Sequence, residues 1–411
     1  MFLYFLYLFF SPVLFIITVF LSFFNIKLRK NLLNFIKTLS IFLSVKFNSD
    51  KQILLFHAAS SGEFEQLKPI LKSINRDQYY IVQSFTSPTI FEQEQNNHIF
   101  DVACYHPFDF ILFSYLFFKA IKPKKYIITR HDIWPGHIVL ASIMKIECIL
   151  INVNIHKNSI WVHPLIRPLS NYIFNKFHII LAPSNRIKNF ISNQLNISSK
   201  IIVTGDSRFN QIIERSHKNK KLNLLPEKIK DYNNVLFGSI DSSDQKIIFQ
   251  SLNNFDFKKR KIIIVPHETD SDTIFSIQKE LTNLSLNFIL FSELKNQDLY
   301  FYNVIIVDVV GILADLYQYA NSAYVGGGFV RGVHSVIEPA IYNCQISFGP
   351  NYEILDEAKT MINENLAYQI SDIESMRFFL HSNNDLNMES TKEFILRNEK
   401  NKTEILYHIL N

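Results

Sequence analysis

The sequence predicts an α/β protein of two doubly wound domains behind an apolar N-terminal segment. Three observations carry that prediction. After residue 50, short continuous apolar runs alternate with longer mixed segments. That is the pattern of parallel strands buried on both faces and joined by crossover helices. The pattern occurs twice, on either side of a Lys- and Asn-rich stretch at 206–232 that carries Pro226. The length, 411 residues, also exceeds what one ordinary core organises.

The first 26 residues carry no charged side chain, and Lys27, Arg29 and Lys30 follow at once. An apolar run of this length is enough for a membrane anchor at 1–26. The basic flank on its C-terminal side places the bulk of the chain in the cytoplasm. Pro12 would kink a spanning helix, so both a span and a shallow insertion in one leaflet stay open. The next segment, 27–48, is amphipathic and basic. It is read either as a membrane-surface helix or as a helix packed on the first domain.

In the first half, strands are predicted at 53–58, 79–85, 126–129, 148–152, 179–182 and 201–204. In the second they are predicted at 234–237, 261–265, 287–291, 304–307, 322–325 and 345–348. These give a first domain at 49–210, a linker at 211–233 and a second domain at 234–411.

Hydrophobic residues make up 48% and charged residues 19%, which excludes wholesale disorder. The net charge of +5 suits anionic lipid or phosphorylated substrates and does not call for nucleic acid. Cys104, Cys148 and Cys344 have no metal or redox spacing, and the 13 histidines form no HExxH or HxH cluster. No zinc site is therefore expected.

Ligands of open α/β sheets lie beyond the carboxyl ends of the strands, and the unusual residues fall there. They are His57-Ala-Ala-Ser60-Ser61-Gly62-Glu63, Arg130-His131-Asp132-Ile-Trp-Pro135 and Gly205-Asp-Ser-Arg208-Phe209 in the first half. The second half adds Gly238-Ser-Ile-Asp-Ser-Ser-Asp244, Pro266-His267-Glu268 and a glycine run. The chain has only 10 glycines, yet Gly326, Gly327, Gly328 and Gly332 share one short segment. Glycine allows positive φ and close approach of backbone to a ligand. A helix expected to open near Ser335 would offer N–H groups to a phosphate. A strand–helix turn without a ligand is the alternative that the segment alone leaves open.

Together, in this order and behind an apolar N-terminus, the six segments resemble the Kdo (3-deoxy-D-manno-octulosonate) transferases of lipopolysaccharide synthesis, glycosyltransferase family 30. The resemblance runs over roughly residues 50–360 and rests on three signatures. They are His57 to Glu63, Gly326-Gly-Gly-Phe through His334 to Glu338-Pro-Ala340, and Phe348-Gly-Pro350. Pro266-His-Glu268 and Thr204 to Phe209 stand in the expected places between.

The resemblance implies the GT-B fold, with two Rossmann-like domains on the cytoplasmic side of the inner membrane. It implies CMP-Kdo as donor, a lipid A precursor such as lipid IVA as acceptor, inversion at the anomeric carbon, and no metal or other cofactor. Glu63 maps onto the general base, and Asp132 onto a second catalytic carboxylate. A carboxylate within reach can take the proton of an attacking hydroxyl, and a following helix N-terminus is expected to keep Glu63 ionised. The alternative for Glu63 is an ordinary helix-start carboxylate.

Ser60, Ser61, Gly62 and His131 fall on the acceptor side. Arg208, Pro266, His267, Gly326, Gly327, Gly328, Gly332, His334, Ser335 and Glu338 fall on the donor side. There, oriented N–H groups and positive side chains would meet the leaving phosphate. Arg331 also reads as a solvated loop charge. Glu338 is read as a ribose ligand or as the capping-box partner of Ser335.

Four positions depart from the family pattern. Asp132 replaces a Glu, Ser335 replaces an Asn, Ile312 stands where a Glu is frequent, and Asn152-Val-Asn154 lacks the usual Arg. Two other readings remain: a GT-B enzyme using a UDP-sugar, and a membrane-anchored relative without catalysis.

Overall fold

The computed structural model describes residues 2–44, 50–219, 223–253, 255–294, 298–382 and 388–411. The chain forms two compact units, one of residues 1–211 with 400–411 and the other of residues 212–399.

The first unit is built on β1 (Gln52–Ala58), β2 (Tyr79–Phe85), β3 (Val102–Tyr105), β4 (Lys125–Thr129), β5 (Glu147–Ile151), β6 (Ile179–Ala182) and β7 (Lys200–Val203). All pair in parallel, in the order β3-β2-β1-β4-β5-β6-β7. Its N-terminal helices are α1 (Phe2–Ser22), α2 (Ile26–Ser44), α3 (Ser61–Leu71), α4 (Pro88–Glu94), α5 (Ile111–Ile121), α6 (Pro135–Ile143) and α7 (Arg167–Phe174).

The alternation of β1 shows why the run 53–58 is apolar apart from His57. Leu54, Phe56 and Ala58 share a core with Phe64, Leu67 and Ile70 of α3. Leu55 faces the other way, into a core with Phe117 and Phe118 of α5 and Ile138 of α6. Each such buried side chain stabilises by about 1.5–3 kcal/mol. His57 keeps the parity of Leu55, so the one polar residue of the run is delivered, fully buried, to the α5–α6 side.

The second unit repeats the plan with β8 (Asn233–Ile240), β9 (Arg260–Pro266), β10 (Phe288–Leu290), β11 (Val304–Ile306), β12 (Ser322–Val325), β13 (Gln345–Phe348) and β14 (Ala367–Gln369). The order is β10-β11-β9-β8-β12-β13-β14, again parallel. In each sheet the strand order reverses beside its first strand, between β1 and β4 and between β8 and β12. Such a switch point opens a crevice at the strand carboxyl ends. The loops flanking these two crevices carry His57–Glu63 with Arg130–Pro135, and Gly238–Asp244 with the glycine run.

Each sheet has one strand more than the six expected, and both additions, β3 and β14, are short edge strands with partly exposed residues. The second domain, expected to run to residue 411, ends earlier. The last helix, Asn401–Leu410, buries Ile405 and Ile409 in the core under α3 and belongs to the first unit. The expected linker 211–233 holds the end of the helix Ser207–Asn219 and a short helical turn at Glu227–Asp231 that buries Ile229. Its residues 220–222 lie outside the described residues, as do 45–48 of the expected amphipathic helix.

α1 is the one helix long and apolar enough to cross a membrane among the described residues. One flank is tied to the first unit along much of its length. Tyr4 packs on Tyr172 of α7, with ring centroids 5.3 Å apart, and Phe15 stacks on Phe110 at 4.9 Å. The Tyr7 hydroxyl donates to Asp109 Oδ2 at 2.5 Å. The opposite flank, including Phe2, Phe5, Phe9, Val13, Ile16 and Phe20, is exposed. α2 packs on the same unit: Phe35 and Phe42 are buried against Phe117, and Lys30 pairs with Glu92 at 2.7 Å.

Candidate active site

At the first crevice the chain turns from β1 into α3. Ser60 caps the helix, its Oγ accepting the Glu63 N–H at 3.4 Å. Glu63 therefore sits in the first turn, and its carboxylate reaches back so that the Ala59 N–H donates to Oε2 at 2.7 Å. The side chain is buried, and no hydrogen bond to Oε1 is seen among the described residues. Burial pushes the Glu63 carboxyl above its ordinary value; the Ala59 N–H and the charge of His57 oppose this without overcoming it, and Asp132 adds to the rise. The helix start was expected to keep Glu63 readily ionised, and this is corrected: desolvation outweighs the oriented N–H group.

Asp132 behaves in the opposite way. Burial works to raise it, but the hydrogen bond and charge of His57 hold it below the ordinary carboxyl value. His57 Nε2 lies 2.7 Å from Asp132 Oδ2. Two neighbouring carboxyls are thus pushed apart in acidity, the arrangement that separates a proton acceptor from a permanent anion. His131, Ser60, Ser61 and Gly62 line the exposed side of this group, and the charge of His131 is felt by Glu63.

Residues to which the sequence assigned no role of their own hold the site in place. Arg130 (φ 64°) and Asn152 (φ 51°) leave β4 and β5 in the left-handed region, a conformation that is sparsely populated and concentrated at functional sites. Asn152 donates through Nδ2 to Ser207 Oγ at 2.6 Å, and Ser207 Oγ donates to the Gln66 carbonyl of α3 at 2.8 Å. The loops after β5 and β7 are thereby fastened to the helix that carries Glu63. An Asn at a strand end, tolerant of positive φ, was the only available signal. Arg208 lies in this unit, with Nε 2.8 Å from Asp206 Oδ2, and not in the unit that holds the glycine run.

At the second crevice β8 is irregular between Gly238 and Ile240, and Ser239 takes φ 55°. Gly326 and Gly328 meet backbone. A Cβ on Gly326 would lie 2.4 Å from the Ser239 carbonyl oxygen, and one on Gly328 would lie 2.6 Å from Gly349 Cα. Glycine is required here by packing of the chain on itself. Gly327 and Gly332 take positive φ, 84° and 101°.

The Gly327 N–H, expected to face a phosphate, is donated to Asp244 Oδ2 at 2.8 Å. Asp244 Oδ1 also accepts the Tyr324 hydroxyl at 2.7 Å. The N–H groups of Gly328 and Ser335 take no partner among the described residues.

Beside this turn, the rings of His267 and His334 stack with centroids 4.8 Å apart, and His267 Nδ1 lies 3.0 Å from Ser239 Oγ. His334 Nε2 is buried without a partner. Burial, then the charge of His267, lowers the His334 pKa. Pro266 is buried at the end of β9, and Arg331 is exposed.

The helix expected near Ser335 is only the four residues Ile337–Ala340, with Val336 at its cap and no side-chain capping bond. Its dipole is correspondingly slight, and the Ser335–Glu338 capping box does not form. Glu338 is instead pushed up to about 7 by burial, opposed by Arg215. Arg215 itself grips Asp315 through two bonds of 3.0 and 3.1 Å.

Residues 35–211 match the family model of the 3-deoxy-D-manno-octulosonic-acid transferases (kdotransferases). The match ends where the first unit's continuous run ends. A 3-deoxy-D-manno-octulosonic acid transferase of Aquifex aeolicus is 27% identical over 320 residues, 76% of this chain and 80% of that one. One of Rickettsia felis is 25% identical over 369 residues, 87% of this chain and 77% of the other.

Among solved structures, a UDP-GlcNAc 2-epimerase of Neisseria meningitidis superposes with a TM-score of 0.61 at 13% identity, covering 88% of this chain and 99% of its own. A glycosyltransferase of Rickettsia africae gives 0.60 at 12% identity, covering 88% and 97%. These likenesses place both parallel-sheet units in the GT-B fold. The first unit thus matches the kdotransferase family model, and most of the chain is similar to enzymes named 3-deoxy-D-manno-octulosonic acid transferase.

Proposed function

We propose that the chain transfers Kdo from CMP-Kdo to a lipid A precursor, lipid IVA, with inversion and with Glu63 as general base. The observation that carries this reading is the pair of carboxyls at the β1–β4 crevice. One is buried and raised in pKa, with an oxygen left for a proton; the other is held as an anion. As the acceptor hydroxyl oxygen bonds to the anomeric carbon, its proton passes to Glu63 Oε1, and CMP departs with the electrons of the broken C–O bond. Asp132 orients the acceptor by accepting a neighbouring hydroxyl.

On the donor side, the Gly328 and Ser335 N–H groups, with His267, His334 and Arg331, would meet the CMP phosphate, and Glu338 the ribose hydroxyls. No metal takes part in this reading.

Incubation with CMP-Kdo and lipid IVA should add Kdo mass to the lipid, unchanged by a chelator. CMP at 100 times its Kd should stabilise the folded chain by about 2.7 kcal/mol. Stabilisation by UDP in its place would favour the UDP-sugar reading.

We read α1 as lying within one leaflet on the cytoplasmic face of the inner membrane. Its tied flank leaves it unable to stand across the bilayer while keeping the Tyr7–Asp109 and Phe15–Phe110 contacts. A cysteine introduced by Phe2→Cys should react with a membrane-impermeant reagent only from the side that holds the two units. Labelling from the opposite side alone would establish a span.

A further inference from the structure

We propose that His57, protonated on both ring nitrogens, is a positioning residue that holds Asp132 as a fixed carboxylate for the transfer. It rests on the reading of Asp132 as part of the transfer site. His57 is fully buried, so it acts through its neighbours: on Asp132 by hydrogen bond and charge, and on Glu63 by charge.

The proton assignment follows from hydrogen-bond accounting around Ser84, at the end of β2. Three groups surround its Oγ: the Phe56 carbonyl at 3.1 Å, His57 Nδ1 at 3.0 Å and His106 Nδ1 at 3.1 Å. The carbonyl can only accept, so it takes the single hydroxyl proton. The two lone pairs then accept from the two imidazoles, and both Nδ1 atoms carry hydrogen. His57 Nε2 faces Asp132 Oδ2 at 2.7 Å. A bare nitrogen there would set lone pair against lone pair at 2.7 Å, too close for a water between them, so a second ring proton lies there. A charge-assisted bond of this length fixes the carboxylate in direction as well as position.

The surroundings fit this assignment. His106 is left with Nε2 as acceptor for Tyr126 Oη at 3.0 Å or His137 Nδ1 at 2.9 Å. Burial lowers its pKa, leaving a neutral ring. That ring stacks on His57 with centroids 3.9 Å apart. The other ionisable groups that face His57 are Glu63 at the start of α3, His137 on α6 and, beside Asp132, His131. The two carboxylates offset the imidazolium charge.

The test uses the full-length chain in detergent with 15N-labelled histidine. The ring signals lost in His57→Gln identify His57. Both of its nitrogens should be protonated at neutral pH, and Asp132→Asn should remove the Nε2 proton. A bare nitrogen on His57 in the unsubstituted chain overturns the proposal. This result is independent of any transfer assay, whereas the transfer reading fails separately if that chain moves no Kdo.

Kinetics give a second readout. Gln can still donate to Asp132 without charge, so His57→Gln should lower kcat about tenfold, and His57→Ala about 100-fold, with KM for CMP-Kdo unchanged. Equal losses in the two variants would reduce His57 to a packing residue and overturn the proposal.

Discussion

Replacing Glu63 by Gln is expected to lower kcat by about 10²–10⁴-fold, the usual contribution of a positioned base, while the first unit stays folded. The amide oxygen can still accept the Ala59 N–H, so the local bond at the helix start survives. What is lost is a site for the proton of the attacking hydroxyl. The dependence on pH separates this role from a structural one. Burial raises the Glu63 pKa above 4.5 in the folded chain, so the folded state holds that proton more tightly than the unfolded state. The resulting stabilisation is complete below the unfolded value and disappears as pH rises through the folded value. Above the folded value the unsubstituted chain thus bears an ionised, buried carboxylate that Glu63→Gln lacks. The variant should be at least as stable there, with its advantage in Tm growing as pH rises through the folded value. Full turnover in the variant would remove Glu63 from the mechanism; a fall in Tm at neutral pH would assign it to the fold instead.

Much of the architecture was legible because strands buried on both faces must be apolar without interruption. The runs at 79–85, 179–182, 322–325 and 345–348 coincide with observed strands for that reason. β3 and β14 escaped because an edge strand of three or four residues needs apolar character on few positions. The final helix was assigned to the wrong unit because its signal, Ile405 and Ile409 four residues apart, says only that one face is buried. Which core receives that face depends on contacts with residues more than 300 positions away, such as Phe64 and Leu67 of α3.

Within the candidate site, the residue types were readable and their states were not. His57, Glu63 and Asp132 stood out at strand ends. The opposed shifts of the two carboxyls arise from burial and from a histidine that the alternation of β1 turns inward. Ser84, His106 and His137 gave no sequence signal, because a single polar residue within an apolar stretch has no periodicity to betray it. The glycine run was read as an opening for a ligand, yet at Gly326 and Gly328 the missing side chains accommodate the chain's own backbone. The two uses share a requirement for glycine and differ only in what occupies the space.

That difference leads to the second large effect. Gly328→Ala is expected to destabilise the second unit by about 1–3 kcal/mol, the cost of overpacking a rigid contact. For a unit of this size that is a fall in Tm of about 3–10 °C. The neighbour is Gly349 backbone, which cannot rotate aside as a side chain could. The Asn351 N–H donates to the Gly328 carbonyl at 2.8 Å, so the loops after β12 and β13 are held together on both sides of the contact. Separating them shifts the Gly328 N–H and the segment leading to Ser335, and stabilisation by CMP should weaken along with the fold. Gly62→Ala provides the contrast. A Cβ there meets nothing within 4 Å, and the residue is helical, so alanine should leave Tm unchanged or slightly higher. If Gly328→Ala kept both the original Tm and the full response to CMP, the glycines would be dispensable to the turn, and the phosphate would have to be held elsewhere in the second unit.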